Sequence, residues 1–164
     1  PEILHRSIGQ SVSLLFIIAA ANFFGWLVIH QKIPDSIIAG LVQYGASQTH
    51  VILIVIGIVL ILGCFLEGNA IFLITLPIFI PMAKMFQIDL VNFGVVMTLL
   101  IMIGNLTPPV GMCLFAVDSF AKVGVWPLSR AIIPYIVVIF VLTVVIAFVP
   151  DIALFLPRLV MGGM

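Results

Sequence analysis

Long apolar runs separated by short polar breaks dominate the chain. The first run, residues 8–29, contains no charged side chain and is long enough to cross the roughly 30 Å hydrocarbon layer of a bilayer. The stretch at residues 35–48 is too short to cross, and its Ile37, Ile38 and Leu41 recur at helical spacing. A spanning helix followed by an amphipathic helix in the membrane interface is therefore predicted, with an irregular loop as the alternative for the second segment.

The next apolar run, residues 51–83, has a length that fits neither one nor two membrane crossings. As a single helix it would extend about 50 Å, and two full spans would need about 40 residues plus a turn. Glycine and polar residues interrupt its middle and leave two short arms, 51–62 and 70–83. The pattern predicts a re-entrant hairpin, with Pro77 and Pro81 bending or shortening the second arm.

A second interruption lies at the centre of residues 90–121, in the sequence Thr107-Pro108-Pro109. Two consecutive prolines remove two amide donors and clash with the preceding helical turn. A residue that precedes proline is itself disfavoured in the helical conformation. A broken helix is predicted here, and residues 131–156 then form a last spanning segment.

The composition places these segments in lipid. Hydrophobic residues make up 64% of the 164 positions and charged residues 7%, against about 25% charged residues in soluble domains. We expect an all-α integral membrane protein. Because the chain begins at Pro1 without an initiator Met, we expect a fragment or one half of a larger polypeptide.

Charge and cysteine usage exclude other classes. The six Lys and Arg residues are scattered singly, so no nucleic-acid footprint exists, and their even division between the two sides gives no membrane orientation. Cys64 and Cys113 match no metal-ligand or redox spacing and are interpreted as packing residues.

The proline pair predicts a cation site. A proline at position i leaves the carbonyl at i−4 without its helical donor, so Pro108 is expected to free the oxygen of Gly104 and Pro109 that of Asn105. Free carbonyls at membrane depth are costly unless something binds them, and discontinuous transporter helices use them to hold small cations. Thr107 adds a hydroxyl at the same level.

The second half of the broken helix predicts an anion preference. Gly104 and Gly111 lack side chains and permit close approach by another element. The helix that begins near Val110 presents amide groups that favour a negative group. The alternative is that the prolines only kink a span.

The other polar residues leave alternatives open. Glu67 could serve transport or could merely cap the second hairpin arm, and Asn69 and Asn105 could line the site or cap helix ends. Asp118 is expected to form a structural ion pair with Lys122, four residues later.

Several segments resemble the large membrane subunit of TRAP (tripartite ATP-independent periplasmic) transporters, the DctM/SiaM-like permeases. They are GNLTPPVGMCLF at 104–115, LPIFIP at 76–81, IDLVNFG at 88–94 and FLP at 155–157. The resemblance covers essentially the whole chain and implies the C-terminal half of that subunit.

This resemblance implies a function. The family consists of multi-pass proteins of the bacterial inner membrane that import organic acids with Na⁺, among them sialic acid and C4-dicarboxylates, and it consists of transporters and not enzymes. A periplasmic binding protein delivers the small carboxylate substrate, and a small four-helix membrane subunit braces the large one. The implied fold is that of the ion-transporter superfamily, in which an N-terminal and a C-terminal repeat of the permease each contribute a hairpin and a broken helix and move as an elevator.

Carried onto this sequence, the resemblance implies domains and site residues. Residues 1–50 would form a scaffold helix with an interfacial arm, residues 51–125 the transport elements, and residues 126–164 a C-terminal transmembrane helix. The hairpin would enter from the periplasmic face. The sodium ligands, mainly backbone carbonyls, would be Gly63, Gly104, Thr107 and Val110, and the candidate substrate-binding residues are Asn105, Pro108, Pro109 and Gly111.

Three alternative functions would each require a feature of their own. An ion channel would use carbonyl rings, but the chain has no repeated filter sequence. A structural membrane subunit would have no use for two breaks at mid-membrane. An intramembrane enzyme would need a nucleophile with its base or a metal cluster, and the three histidines stand at segment ends.

Overall fold

Helices form all of the regular structure in the described part of the chain. A computed structural model describes residues 2–108 and 111–161, and no strand occurs among them. The helices are α1 Glu2–His30, α2 Ile33–Gln43, α3 Gln48–Gly63, α4 Gly68–Met85, α5 Leu90–Asn105, α6 Met112–Ala121, α7 Val125–Phe148 and α8 Pro150–Met161. The all-α prediction is therefore confirmed.

By length and composition, α4 and α7 could each cross a membrane. The segment 15–30 of α1 and the helix α2 would make a third span if counted together, although they bend by 53° where they join. The amphipathic helix predicted at 35–48 exists as α2, and the loop alternative is wrong for residues up to Gln43. The helices α3 and α5, with 16 residues each, are shorter apolar helices.

The core forms around α5, which packs against α3 on one side and α7 on another, with α4 and α8 also in contact. Met97 and Leu100 of α5 are fully buried together with Val55 and Val59 of α3. Burying such aliphatic side chains against one another fixes α3 beside α5 over their whole lengths.

The helices α3 and α4 form a hairpin whose two ends lie at the same level. Ile52, in the second turn of α3, and Ile88, just after α4, line one small cavity together with Asn92 of α5. The chain therefore leaves this level along α3, turns at residues 64–67 and returns along α4.

Of the bending or shortening predicted for the second arm, the shortening is wrong. The helix α4 continues through Pro77 and Pro81 and reaches 18 residues. Pro77 packs on α1 where Gly25 has no side chain, since a Cβ at Gly25 would lie 3.0 Å from Pro77 Cγ. Each proline removes one helical hydrogen bond, and neighbouring helices make that tolerable in a membrane segment.

The last predicted segment divides in two. Where one helix was expected over 131–156, α7 begins earlier, at Val125, and ends at Phe148, and α8 starts at Pro150. Proline cannot donate a backbone hydrogen bond and disfavours helical geometry at Val149, whose φ is −122°. Within α8, Arg158 donates to Asp151 at 2.6 Å.

Candidate ion and substrate site at two helix breaks

The ends of α3 and α5 meet backbone to backbone. A Cβ added to Gly104 would lie 2.5 Å from the Cα of Gly63, and one added to Gly63 would lie 2.8 Å from the Cα of Gly104. Real Cβ atoms essentially never approach other atoms closer than 3.0 Å. Only glycine at both positions permits this contact, so the structure brings together two of the predicted sodium ligands.

A second glycine fixes the other side of the hairpin tip. A Cβ on Gly68, the first residue of α4, would lie 2.9 Å from Ile101 Cγ2 and 3.5 Å from Asn105 Nδ2. The tip therefore contacts the last turn of α5 through glycines on both sides of residues 64–67. This contact was not predicted from the sequence; its one local sign is the glycine at the start of α4.

Of the two carbonyls predicted to be free at the break after α5, one has a hydrogen-bond donor. The Gly104 oxygen accepts the Thr107 amide at 2.9 Å, a bond of the 3₁₀ type, so the prediction that Pro108 frees this oxygen is wrong. The Asn105 oxygen has prolines at both i+3 and i+4, and neither Pro108 nor Pro109 can donate to it. A carbonyl with one donor keeps a second lone pair for a cation.

Two further oxygens on residues at this contact have no hydrogen-bond donor. Gly63 is buried, and among the described residues no group donates a hydrogen bond to its carbonyl oxygen. The Oδ1 atom of Asn105 is also buried, and it has no hydrogen-bond partner in the described structure. Unpaired buried acceptors of this kind usually have a water or an ion beside them.

The Thr107 hydroxyl is oriented by its own helix. It donates to the Ile103 carbonyl at 2.7 Å, which uses its single proton and leaves the oxygen lone pairs available to a cation. The side chain is half-buried, as is that of Pro108.

The second half of the break returns toward Thr107. Gly111 has φ +45°, and a Cβ there would lie 3.2 Å from the Thr107 carbonyl oxygen. Since Gly111 supplies no capping side chain, the first amides of α6 are not satisfied by a cap and favour an anionic group. Pro109 and Val110, assigned above to the substrate and to sodium, lie outside the described residues.

Two acidic residues of this part of the chain, Glu67 and Asp118, accept hydrogen bonds that cap a helix or close a turn. Glu67 is exposed and caps α4, accepting from the Ala70 amide at 3.3 Å and from Asn69 Nδ2 at 2.9 Å, as the capping alternative predicted. The ion pair predicted between Asp118 and Lys122 is wrong. Asp118 Oδ1 instead accepts the Gly124 amide at 2.7 Å and closes the turn between α6 and α7.

The electrostatics at the contact favour a cation. Two helix C-termini, those of α3 and α5, meet there, and each carries a partial negative charge. The oxygens that they offer are neutral carbonyls, and Thr107, whose amide donates to the Gly104 oxygen, adds a hydroxyl. In the described part of the chain, no group of three His, Cys, Asp or Glu side chains could hold a metal ion. The arrangement is chemically suited to a hard monovalent cation.

A protein-family model matches most of the chain. Residues 1–152 match the model described as "Tripartite ATP-independent periplasmic transporter, DctM component". The chain belongs to this family. The TRAP resemblance found in the motifs is thereby confirmed.

Relatives within the TRAP family carry different substrate names. The C4-dicarboxylate TRAP transporter large permease protein DctM of Pseudomonas aeruginosa is 34% identical over 96% of this chain and 37% of the relative. The sialic acid TRAP transporter large permease protein SiaM of Vibrio cholerae is 30% identical over 98% of the chain and 38% of the relative. An isethionate TRAP transporter permease of Oleidesulfovibrio alaskensis is 28% identical over 90% of the chain.

The chain therefore spans little more than a third of the length of the first two relatives. That the chain belongs to the C-terminal half of the TRAP subunit stays a prediction. The relatives are permeases by name.

Proposed function

We propose that this chain forms a sodium site and part of the substrate site of a TRAP permease that imports an organic acid. The observation that supports this most directly is the contact between Gly63 and Gly104, which places a buried carbonyl oxygen without a donor between two helix C-termini. A sodium ion there would compensate the unpaired oxygen and both helix dipoles.

The proposed ligands are the carbonyls of Gly63 and Gly104 and the hydroxyl of Thr107, with Val110 as a further ligand. The unpartnered Oδ1 of Asn105 stands on the adjacent turn. All these groups are uncharged, which suits a monovalent ion that must bind and leave in each cycle. A divalent ion would usually require carboxylates.

The proposed substrate group is a carboxylate or another organic anion. It would bind at the uncapped start of α6 near Gly111, because helix N-termini favour negative groups. Asn105, Pro108 and Pro109 are the further candidate residues for substrate binding. The relatives are named for C4-dicarboxylate, sialic acid and isethionate, which are all anions at neutral pH.

The proposal extends to the assembly. The rest of the permease would supply the other repeat, and a small membrane subunit and a periplasmic binding protein would complete the transporter in the inner membrane. We propose that α3 and α4 form a re-entrant hairpin in the transport domain and move with α5 in an elevator-type cycle. The common level of the two hairpin ends, together with the short length of α3, which has 16 residues, supports this topology.

The test is uptake by the complete tripartite transporter in proteoliposomes under a sodium gradient. The variant Thr107→Ala removes a proposed ligand and should raise the sodium concentration for half-maximal uptake about tenfold, which corresponds to about 1.4 kcal/mol. Thr107→Ser keeps the hydroxyl and should restore the parent value.

The matched control is Thr98→Ala on the same helix. The Thr98 hydroxyl makes the same type of bond as Thr107, donating to the carbonyl four residues earlier, Gly94, at 2.8 Å, but it lies far from the break. Sodium dependence should not change in this variant. Equal behaviour of Thr107→Ala and Thr98→Ala, or full uptake without sodium on a proton gradient, would contradict the sodium assignment.

A further inference from the structure

The turn between α6 and α7 exposes aromatic and aliphatic side chains beside two cations. We call Phe120, Lys122, Val123, Trp126 and Arg130 the basic–aromatic patch. Phe120 is 90% exposed, Trp126 65% and Val123 56%, and both cationic side chains are exposed as well. Exposed apolar area next to unpaired positive charge indicates a ligand that is both apolar and anionic.

The backbone of this turn is held in place by hydrogen bonds. Lys122 has φ +51° and its amide donates to the Asp118 carbonyl at 2.8 Å, while the Gly124 amide donates to the Asp118 side chain at 2.7 Å. The one carboxylate near the patch is therefore engaged by the backbone. In the described part of the chain neither Lys122 nor Arg130 has an acidic partner within 4.0 Å.

Arg130 and Trp126 form a unit on the first turns of α7. The guanidinium carbon lies 5.3 Å from the centroid of the Trp126 ring, which is within cation–π range. This contact directs the Arg130 side chain back toward the start of α7, where Lys122 lies. Long basic side chains near the end of a membrane helix commonly extend in this way to reach the headgroup level.

The opposite end of the bundle differs in its charge balance. The cations there, Lys32, Lys84 and Arg158, stand in segments that also carry Asp35, Asp89 and Asp151. Arg158 is paired directly with Asp151, and Trp26 stacks on His30 with ring centroids 4.9 Å apart. Among the described residues, Lys32 and Lys84 also have no acidic partner within 4.0 Å, so what distinguishes the turn between α6 and α7 is the contact between a cation and an exposed aromatic ring, that of Arg130 over Trp126.

We propose that the basic–aromatic patch binds an anionic phospholipid. The lipid phosphate would accept hydrogen bonds from Lys122 and Arg130, and the acyl chains would cover Phe120, Val123 and Trp126. The placement supports a lipid over a soluble ligand, because the patch lies at the end of α7, whose 24 residues are long and apolar enough to cross a membrane. Headgroups of the bilayer lie at that level, and basic residues there attract anionic lipids.

The test uses quenching of Trp126 fluorescence by brominated lipids. The complete permease with its small subunit is reconstituted in phosphatidylcholine vesicles that contain increasing fractions of brominated phosphatidylglycerol or, separately, brominated phosphatidylcholine. The Trp126 signal is the difference between the parent protein and the variant Trp126→Phe. Half-maximal quenching should need an about tenfold lower fraction of the anionic lipid.

The variants separate charge from simple exposure. The double variant Lys122→Gln with Arg130→Gln should be quenched equally by both lipids. The double variant Lys32→Gln with Lys84→Gln, at the opposite end, should keep the preference. If the first double variant fails to assemble, Arg130→Lys with Lys122→Arg retains both charges and should also keep the preference.

Two results would overturn the proposal. Equal quenching of the parent protein by the two lipids would show that the patch has no anion preference. Absence of quenching by either lipid would show that another part of the transporter covers Trp126. Neither readout depends on sodium or on transport, so the outcome is independent of the proposed function.

Discussion

The contact between Gly104 and Gly63 gives the most direct test of the site. The variant Gly104→Ala places a methyl group 2.5 Å from the Cα, 2.7 Å from the carbonyl carbon and 3.2 Å from the carbonyl oxygen of Gly63. These are backbone atoms, which cannot rotate away as a side chain would. Ordinary contacts begin at 3.4 Å, so the ends of α3 and α5 must separate by about 1 Å.

The expected cost is moderate and the expected functional effect is large. Overpacking of this kind costs about 1–3 kcal/mol, partly offset by the helix propensity that alanine gains over glycine. A displacement of one sodium ligand by about 1 Å should raise the half-saturating sodium concentration at least about tenfold. Gly63→Ala should act in the same direction, because its methyl group would lie 2.8 Å from the Gly104 Cα.

The matched controls lie on the same helices. A Cβ at Gly94 of α5 or at Gly57 of α3 would meet nothing within 4 Å. Gly94→Ala and Gly57→Ala should therefore leave sodium dependence unchanged and should not lower the thermal midpoint of the purified complex. Sodium-dependent uptake and thermal unfolding would be measured for all four variants.

Two outcomes would refute different steps of this reasoning. If Gly104→Ala matches Gly94→Ala in both measurements, the close approach of α3 and α5 does not exist in the transporter. If Gly104→Ala lowers the thermal midpoint but leaves sodium dependence intact, the contact is structural and the ion binds elsewhere.

Two further predictions concern the break and the hairpin. Replacing Pro108 and Pro109 together by Ala should restore two backbone donors and lower the sodium affinity of uptake more than Thr107→Ala does, and unchanged sodium affinity with normal yield would exclude the ion site. Single cysteines at Thr49 and Phe86, in an otherwise cysteine-free protein, should react with an impermeant reagent from the same side of the membrane. Labelling from opposite sides would exclude the re-entrant hairpin.

The sequence predicted both helix breaks because their cause is local. Glycine next to a polar cluster ends α3, and consecutive prolines end α5, whatever the rest of the chain does. The prediction of a free Gly104 carbonyl was wrong, because the Thr107 amide at i+3 donates to it in place of the missing donor at i+4.

Tertiary packing decided the features that the sequence did not predict correctly. Pro77 and Pro81 were expected to bend or shorten their helix, and it is not shortened, because α1 has no side chain at Gly25 and leaves room for Pro77. The close contact between Gly68 and Ile101 joins residues 33 positions apart, and no periodic pattern in the sequence encodes it. Asp118 has Lys122 at helical spacing, yet the helix ends first and the carboxylate caps the following turn.

The geometry of the two breaks also bears on how an ion could control the hairpin. The Gly63 carbonyl belongs to the hairpin, whereas Gly104 and Thr107 belong to the broken helix, so the proposed ion would bind two elements that no described hydrogen bond joins at this point. Without the ion, the buried Gly63 oxygen and two aligned helix dipoles would favour separation of the tip from α5. With the ion bound, the same groups would hold the tip closed. Sodium occupancy and hairpin position would then be thermodynamically linked, and each would shift the other by the same free energy.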